Sequence, residues 1–94
     1  PLAIAVVVDP WSSNHPVEDG AAATLNMLLA AHALGLGGCW IGSYNSSYEE
    51  QARKILGIPE DRRLLSIIAV GYGAEMPERA RVELARLVCY DRYS

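Results

Sequence analysis

The sequence predicts a mixed α/β (α+β) fold, a sheet flanked by helices, and three observations carry that reading. Two short runs, Leu2 to Val8 (LAIAVVV) and Leu64 to Tyr72 (LLSIIAVGY), are continuously apolar and lack the alternation of a surface strand. Between them, from about Val17 to Leu34, lies a stretch rich in Ala, Leu and Met, the composition of a helix. Glycine and proline fall where the pattern changes, at Pro16, Gly35, Gly57, Pro59, Gly71 and Gly73. The order is strand, helix, strand, helix, strand and tail, in a single domain over residues 1–94.

Asp9-Pro10 ends the first strand, which is expected to be buried on both faces, and Trp11 to His15 is a polar loop. Pro16 suits a first helical turn, with Glu18 and Asp19 near the positive end of the helix dipole. Gly35 closes this helix. After Asp19 its polar residues are Thr24, Asn26 and His32, which do not gather on one side. The helix is therefore expected to be buried nearly all round, with His32 a packed or partner-bonded histidine. Leu36-Gly37-Gly38 reads as a tight turn, and Cys39 to Tyr44 (CWIGSY) as a short strand fraying into a loop. Ser47 and Glu50 form a capping-box pattern for a second helix, stopped near Leu56 by Gly57. Past Gly73, Glu75-Met76-Pro77 reads as a turn, and Val82 to Val88 as one or two helical turns.

Composition limits what the chain can do. Half of its 94 residues are hydrophobic (51%) and only 20% are charged, more apolar side chain than so small a globule can bury. A partner chain, or a missing part of the same fold, is expected to cover the excess. Pro1 runs straight into an apolar strand, as in a chain cut or processed inside a larger protein. The net charge of −3 argues against a nucleic-acid surface. Ala21 to Gly42 is long enough to span a bilayer, but its Asn, His, Gly and Ala residues argue against a membrane segment. Cys39 and Cys89 have neither metal nor C-x-x-C spacing and read as buried, reduced, cytosolic thiols.

No side-chain catalyst emerges. The glycines of Gly35 to Gly38 close a helix and lead into a strand, the reverse of a dinucleotide fingerprint, and Trp40 stands where the third glycine belongs. No G-x-S-x-G elbow is present, and His15 and His32 lack ligand spacing. Glu18 and Asp19 are accounted for by the helix start. Arg79 and Arg81 alternate just beyond the glycine-bounded end of a strand. In open α/β sheets, ligands gather beyond the carboxyl ends of strands, where paired arginines suit a phosphate, although spacing alone favours ordinary surface charges on a solvated loop.

Several stretches together resemble the C-terminal half of the nitroreductase-like flavoproteins. Glu18 to Ala31 (EDGAAATLNMLLAA) is similar to that family's long central helix, and Ala33 to Gly42 (ALGLGGCWIG) to its most recognisable stretch. Ile55 to Glu60, Ile68 to Tyr72 and then Arg79-x-Arg81 follow in the same order and spacing. The resemblance covers essentially the whole chain. It implies an incomplete nitroreductase-like sheet flanked by helices, a long buried dimer-interface helix, and FMN lying between intertwined subunits. It further implies that Trp40, Ile41, Gly42 and Ser43 run beside the isoalloxazine ring, offering backbone N–H groups to N5 and O4. Arg79 and Arg81 match the positions that hold the FMN phosphate.

The implied activity is ping-pong hydride transfer from NADH or NADPH through flavin N5 to an organic acceptor such as a nitro or quinone compound, in a cytoplasmic homodimer. No side chain is expected to be catalytic, since the flavin supplies the chemistry. Where some relatives carry Glu-Gly, this chain has Gly42-Ser43. The family's N-terminal half is absent, so the alternatives are a homodimer or assembly with that half, and the chain alone is expected to be inactive. A rival reading is a non-catalytic dimerisation module that has lost its flavin.

Overall fold

The computed structural model describes residues 1–73 and 78–93. It contains strands β1 (Leu2–Val8), β2 (Gly37–Gly42) and β3 (Arg63–Gly71), with helices α1 (Pro16–Ala33) and α2 (Glu49–Leu56). One short 3-10 turn lies at Leu84–Arg86, within the stretch expected to turn helically. The turn expected at Glu75-Met76-Pro77 falls outside the described residues.

Local chemistry explains where the helices begin and end. Pro16 occupies the first turn of α1, where its missing N–H has no intrahelical acceptor to lose. Gly35 takes φ +77. Its N–H reaches the His32 carbonyl at 3.0 Å, and the Leu36 N–H reaches Ala31 at 2.8 Å, a Schellman closure. Gly57, at φ +70, ends α2 in the same left-handed region. The capping box does not form: the residue before α2 is Tyr48, and no side chain caps it.

β3 is the middle strand. It pairs antiparallel with β1 on one side and β2 on the other, so the order is β1-β3-β2. Gly37 and Gly38, expected in a turn, already belong to β2 and pair with Gly71 and Val70. Because the sheet is antiparallel, the rule that ligands gather at the carboxyl ends of parallel strands does not apply to Arg79 and Arg81.

The register of β1 on β3 shifts between Val6 and Val7: Val6 faces Ser66 and Val7 faces Leu64, leaving Leu65 as an extra residue. The bulge turns two consecutive β3 side chains toward α1. Ser66 Oγ lies 2.8 Å from Thr24 Oγ1, and Leu65 lies against Gly20. A Cβ on Gly20 would come within 2.3 Å of Leu65 Cδ2 and 2.7 Å of Val8 Cγ1, so only glycine lets the helix sit this close. The buried stripe of α1 is Gly20, Thr24 and Ala31, small residues rather than large ones.

The core is correspondingly thin. Val6, Val8, Leu65 and Ile68 form it, with Ile4, Met27 and Leu28 packed at its margin. β1 is not buried on both faces: Leu2 is 62% exposed and only Val6 and Val8 are buried. The physical reason is its place at the sheet edge, with α1 against one face only; on the other, Ala3, Ala5 and Ile67 border an open apolar cavity under Ala52, Ile55 and Leu56. α1 likewise turns Leu25 and Leu29 outward, and His32 is exposed. Cys39 and Cys89 are exposed rather than buried. The radius of gyration, 16.2 Å, exceeds the roughly 12 Å of a compact domain of this length. No described helix is long and apolar enough to cross a membrane.

Candidate functional site

The end of β2 is where the chain offers backbone to a ligand. Ser43 is fully buried, its hydroxyl donating to the Leu64 carbonyl at 3.0 Å. The N–H groups of Ser43 and Tyr44 both donate to the Leu65 carbonyl at 3.2 Å. The bulge residue thus anchors the strand end. In an antiparallel ladder, successive N–H groups alternate between partner strand and opposite edge. With Ser43 turned inward, Ile41 also faces β3, while Trp40 and Gly42 direct their N–H groups to the open edge.

The Gly42 carbonyl shares that edge and accepts a hydrogen bond from the Tyr48 hydroxyl. A Cβ placed on Gly42 meets nothing within 4 Å. Trp40 is 41% exposed beside it. A strand end without a Cβ lets a flat group approach the backbone closely from the sheet face. Ser43 lends neither N–H nor hydroxyl to the edge; it fixes the segment from behind.

The loop after Ser43 is clasped to β3 by Glu49, the first residue of α2. Its Oε1 accepts from the Asn45 N–H at 2.9 Å and from Arg63 Nη2 at 2.8 Å. Its Oε2 accepts from Arg63 Nε at 2.8 Å and from the Leu64 N–H at 3.3 Å. Arg63 also donates to Asn45 Oδ1 at 2.8 Å and lies over the Tyr44 ring, 4.3 Å from its centre. Asn45 sits at φ 59, where its side chain type is tolerated. Four donors on a buried carboxylate, the bidentate Arg63 first among them, hold the Glu49 carboxyl down at about 2. The Glu50 of the sequence pattern instead pairs with Lys54 on the solvent side, at 3.5 Å.

At the start of α1 the polar residues form no catalytic relay. The His15 ring faces Glu18 at 3.0 Å, and only its backbone N–H reaches Ser13, whose hydroxyl donates to Asp19. Asp9 caps the preceding turn through the Trp11 N–H, the main cause of its lowered pKa. Among the described residues no group of three His, Cys, Asp or Glu side chains could hold a metal ion.

Arg79 and Arg81 are exposed, in a segment without regular structure, and neither pairs with a carboxylate among the described residues. Their segment leaves the sheet after Gly71, which pairs with Gly37 at the opposite end of β2 from Gly42. That end of β2 lies about 17 Å from Gly42 at roughly 3.3 Å per strand residue. The described hydrogen bonds do not join the two groups.

The groups that sequence reasoning missed are Tyr48 and the Glu49–Arg63 clasp. Their partners lie at the end of β2, on the loop after it and on β3, and a capping-box spacing drew attention to Ser47 and Glu50 instead.

The sequence pattern of the Nitroreductase family matches residues 11–72. A protein named as an NADH dehydrogenase/NAD(P)H nitroreductase from Archaeoglobus fulgidus is 44% identical over 75 residues, covering 74% of this chain and 43% of that protein. One of the same name from Methanothermobacter thermautotrophicus is 42% identical over 81 residues, 82% of this chain and 42% of its own length. Among solved structures, an FMN-dependent nitroreductase from Clostridium difficile superimposes with a TM-score of 0.90 at 29% identity, over 99% of this chain and 58% of that one. An NADPH:FMN oxidoreductase from Vibrio harveyi, solved with NAD+, gives 0.73 at 31% identity, over 84% of this chain and 34% of that one. The chain therefore spans about half the length of these relatives, or less.

Proposed function

This chain belongs to the nitroreductase family, and from that premise we propose that it forms the C-terminal part of an FMN-dependent oxidoreductase. The observation that carries the reading is Gly42 at the end of the edge strand β2, where a Cβ would meet nothing within 4 Å and the backbone can be approached from the sheet face. Bound there, FMN would supply ping-pong hydride transfer from NADH or NADPH to an organic acceptor such as a nitro or quinone compound.

The chain's own residues bind and orient. Trp40 and Gly42 would offer their outward N–H groups to the flavin ring, which gains negative charge on reduction. Ile41 keeps the strand in its ladder and Ser43 anchors its end, while Arg79 and Arg81 would hold the phosphate. No side chain of this chain moves a proton in the scheme. The setting we infer is cytoplasmic.

The test is made on the purified native assembly. It should be yellow, bind FMN, and oxidise NADH or NADPH with a nitro or quinone acceptor, with parallel double-reciprocal plots. A colourless assembly that still associates would overturn the enzyme reading and leave the dimerisation module. Gly42→Val adds a discriminating arm. The side chain meets nothing in the chain itself, so folding should be unchanged. Crowding against the ring at about 1–3 kcal/mol would weaken FMN roughly 5- to 150-fold. Parental FMN affinity in this variant would remove Gly42 from the site.

We also propose a second copy of the chain, or the remaining part of the fold, as the cover for the outer face of α1. Leu25 (51% exposed) and Leu29 (58%) lie there, opposite the small-residue stripe that meets the sheet. Leu29→Glu breaks no contact to the core cluster, so its expected effect is dissociation or aggregation. Sedimentation of a Leu29→Glu protein that assembles like the parent would refute the interface.

A further inference from the structure

We propose that Tyr48 is a positioning residue for the end of β2: it fixes the Gly42–Ser43 peptide through the Gly42 carbonyl and so limits the rotation at Gly42 that would turn its N–H, on the neighbouring peptide, away from the bound ring; this rests on the FMN reading above. Gly42 is the last residue of β2, on an edge without a neighbouring strand among the described residues. Glycine has the widest backbone freedom of any residue, so an N–H placed here is poorly fixed unless its flanks are held. Behind it, the Ile41 pairing with Ile67 continues the ladder. Ahead of it, the Ser43 N–H is tied to Leu65. The Gly42 carbonyl faces the open edge, where no described strand donates to it, and the Tyr48 hydroxyl supplies a donor.

Tyr48 is itself held. It stands immediately before α2, its carbonyl accepting the Ala52 N–H at 2.9 Å. The next residue, Glu49, is fixed by the clasp to Arg63, Asn45 and Leu64. A rigid line thus runs from β3 through the clasp to Tyr48 and on to Gly42. A residue's N–H and C=O point to the same side of a strand. The Tyr48 hydroxyl therefore lies on the edge where the ring acceptor would sit, and at 40% exposure its side chain borders that edge.

The test compares the FMN-loaded native assembly with Tyr48→Phe, which deletes only the hydroxyl. FMN affinity is expected to stay within about twofold, because the phosphate and ring contacts remain. Anaerobic hydride transfer at saturating NAD(P)H should slow about three- to tenfold, as expected when one preorganised donor loosens without being lost. The flavin midpoint potential should fall by up to about 30 mV, the equivalent of tenfold for a two-electron couple. Tyr48→3-fluorotyrosine keeps the donor and should match the parent in both readouts. A merely structural Tyr48 would change thermal stability or FMN affinity while rate and potential stayed parental, and that outcome overturns the assignment. The premise fails separately: a parent assembly without FMN, or Gly42→Val with undiminished affinity, removes the site and the role of Tyr48 with it.

Discussion

Glu49→Ala is expected to destabilise the fold by about 3 kcal/mol, within the range for breaking a buried ion pair by removing one partner. The carboxylate is 7% exposed, while Arg63 is 31% exposed, so some of the stranded charge is relieved by water. Alanine would leave Arg63 without its bidentate acceptor and the N–H groups of Asn45 and Leu64 unpaired. Chemical denaturation with an unchanged slope would measure the loss. The same contact sets an acid limit. The Glu49 pKa is lowered from 4.5 to about 2 in the folded chain. A lowered folded pKa gives stability that is complete above the unfolded value and lost as pH falls through the folded one. The contribution, about 3 kcal/mol at 1.4 kcal/mol per pKa unit, should therefore disappear between about pH 4.5 and pH 2. Glu49→Gln should lack that slope. If parent and Glu49→Gln lose stability in parallel across this window, the clasp is not what acid breaks.

Arg79→Ala and Arg81→Ala should each weaken FMN about ten- to a hundredfold in the native assembly, since a charge-assisted hydrogen bond to phosphate contributes roughly 1.5–3 kcal/mol. Both side chains are exposed and make no ion pair with a described residue, so their removal should leave stability nearly unchanged. Lysine at either position should rescue only in part, because it offers a point charge where arginine offers a fork. Riboflavin, which has no phosphate, is the internal control: its affinity should hardly respond. Titration calorimetry with both flavins separates the possibilities. Equal losses for FMN and riboflavin would mean that the arginines act on the ring or the fold. No loss for either flavin would make them ordinary surface charges.

Much of the local architecture was legible in the residues themselves. The apolar run Leu2 to Val8 is β1 to the residue. α1 begins at Pro16 and closes at Gly35, while α2 ends at Gly57, because these residues act through their own φ angles and missing donors. The family resemblance, and with it Trp40 to Ser43 and Arg79 with Arg81 as site candidates, was readable from the same string.

What a linear pattern carries poorly is anything set by a partner far away in the chain. The buried stripe of α1 is Gly20, Thr24 and Ala31, which hydropathy does not single out; they face the sheet because a helix can approach Leu65 closely only where its side chains are small. Whether Glu49 or Glu50 ties down the loop depended on Arg63, fourteen residues on, and not on the capping-box spacing. The direction of each N–H near Gly42 depended on how β2 registers against β3, where a shift of one residue would exchange the inward and outward sets. The sequence alone thus determined the order of the elements, the start of α1, the glycine ends of both helices and the family resemblance. Only the tertiary structure decided that Ser43 anchors while Gly42 faces the open edge, because strand register is a property of the pair and not of either strand.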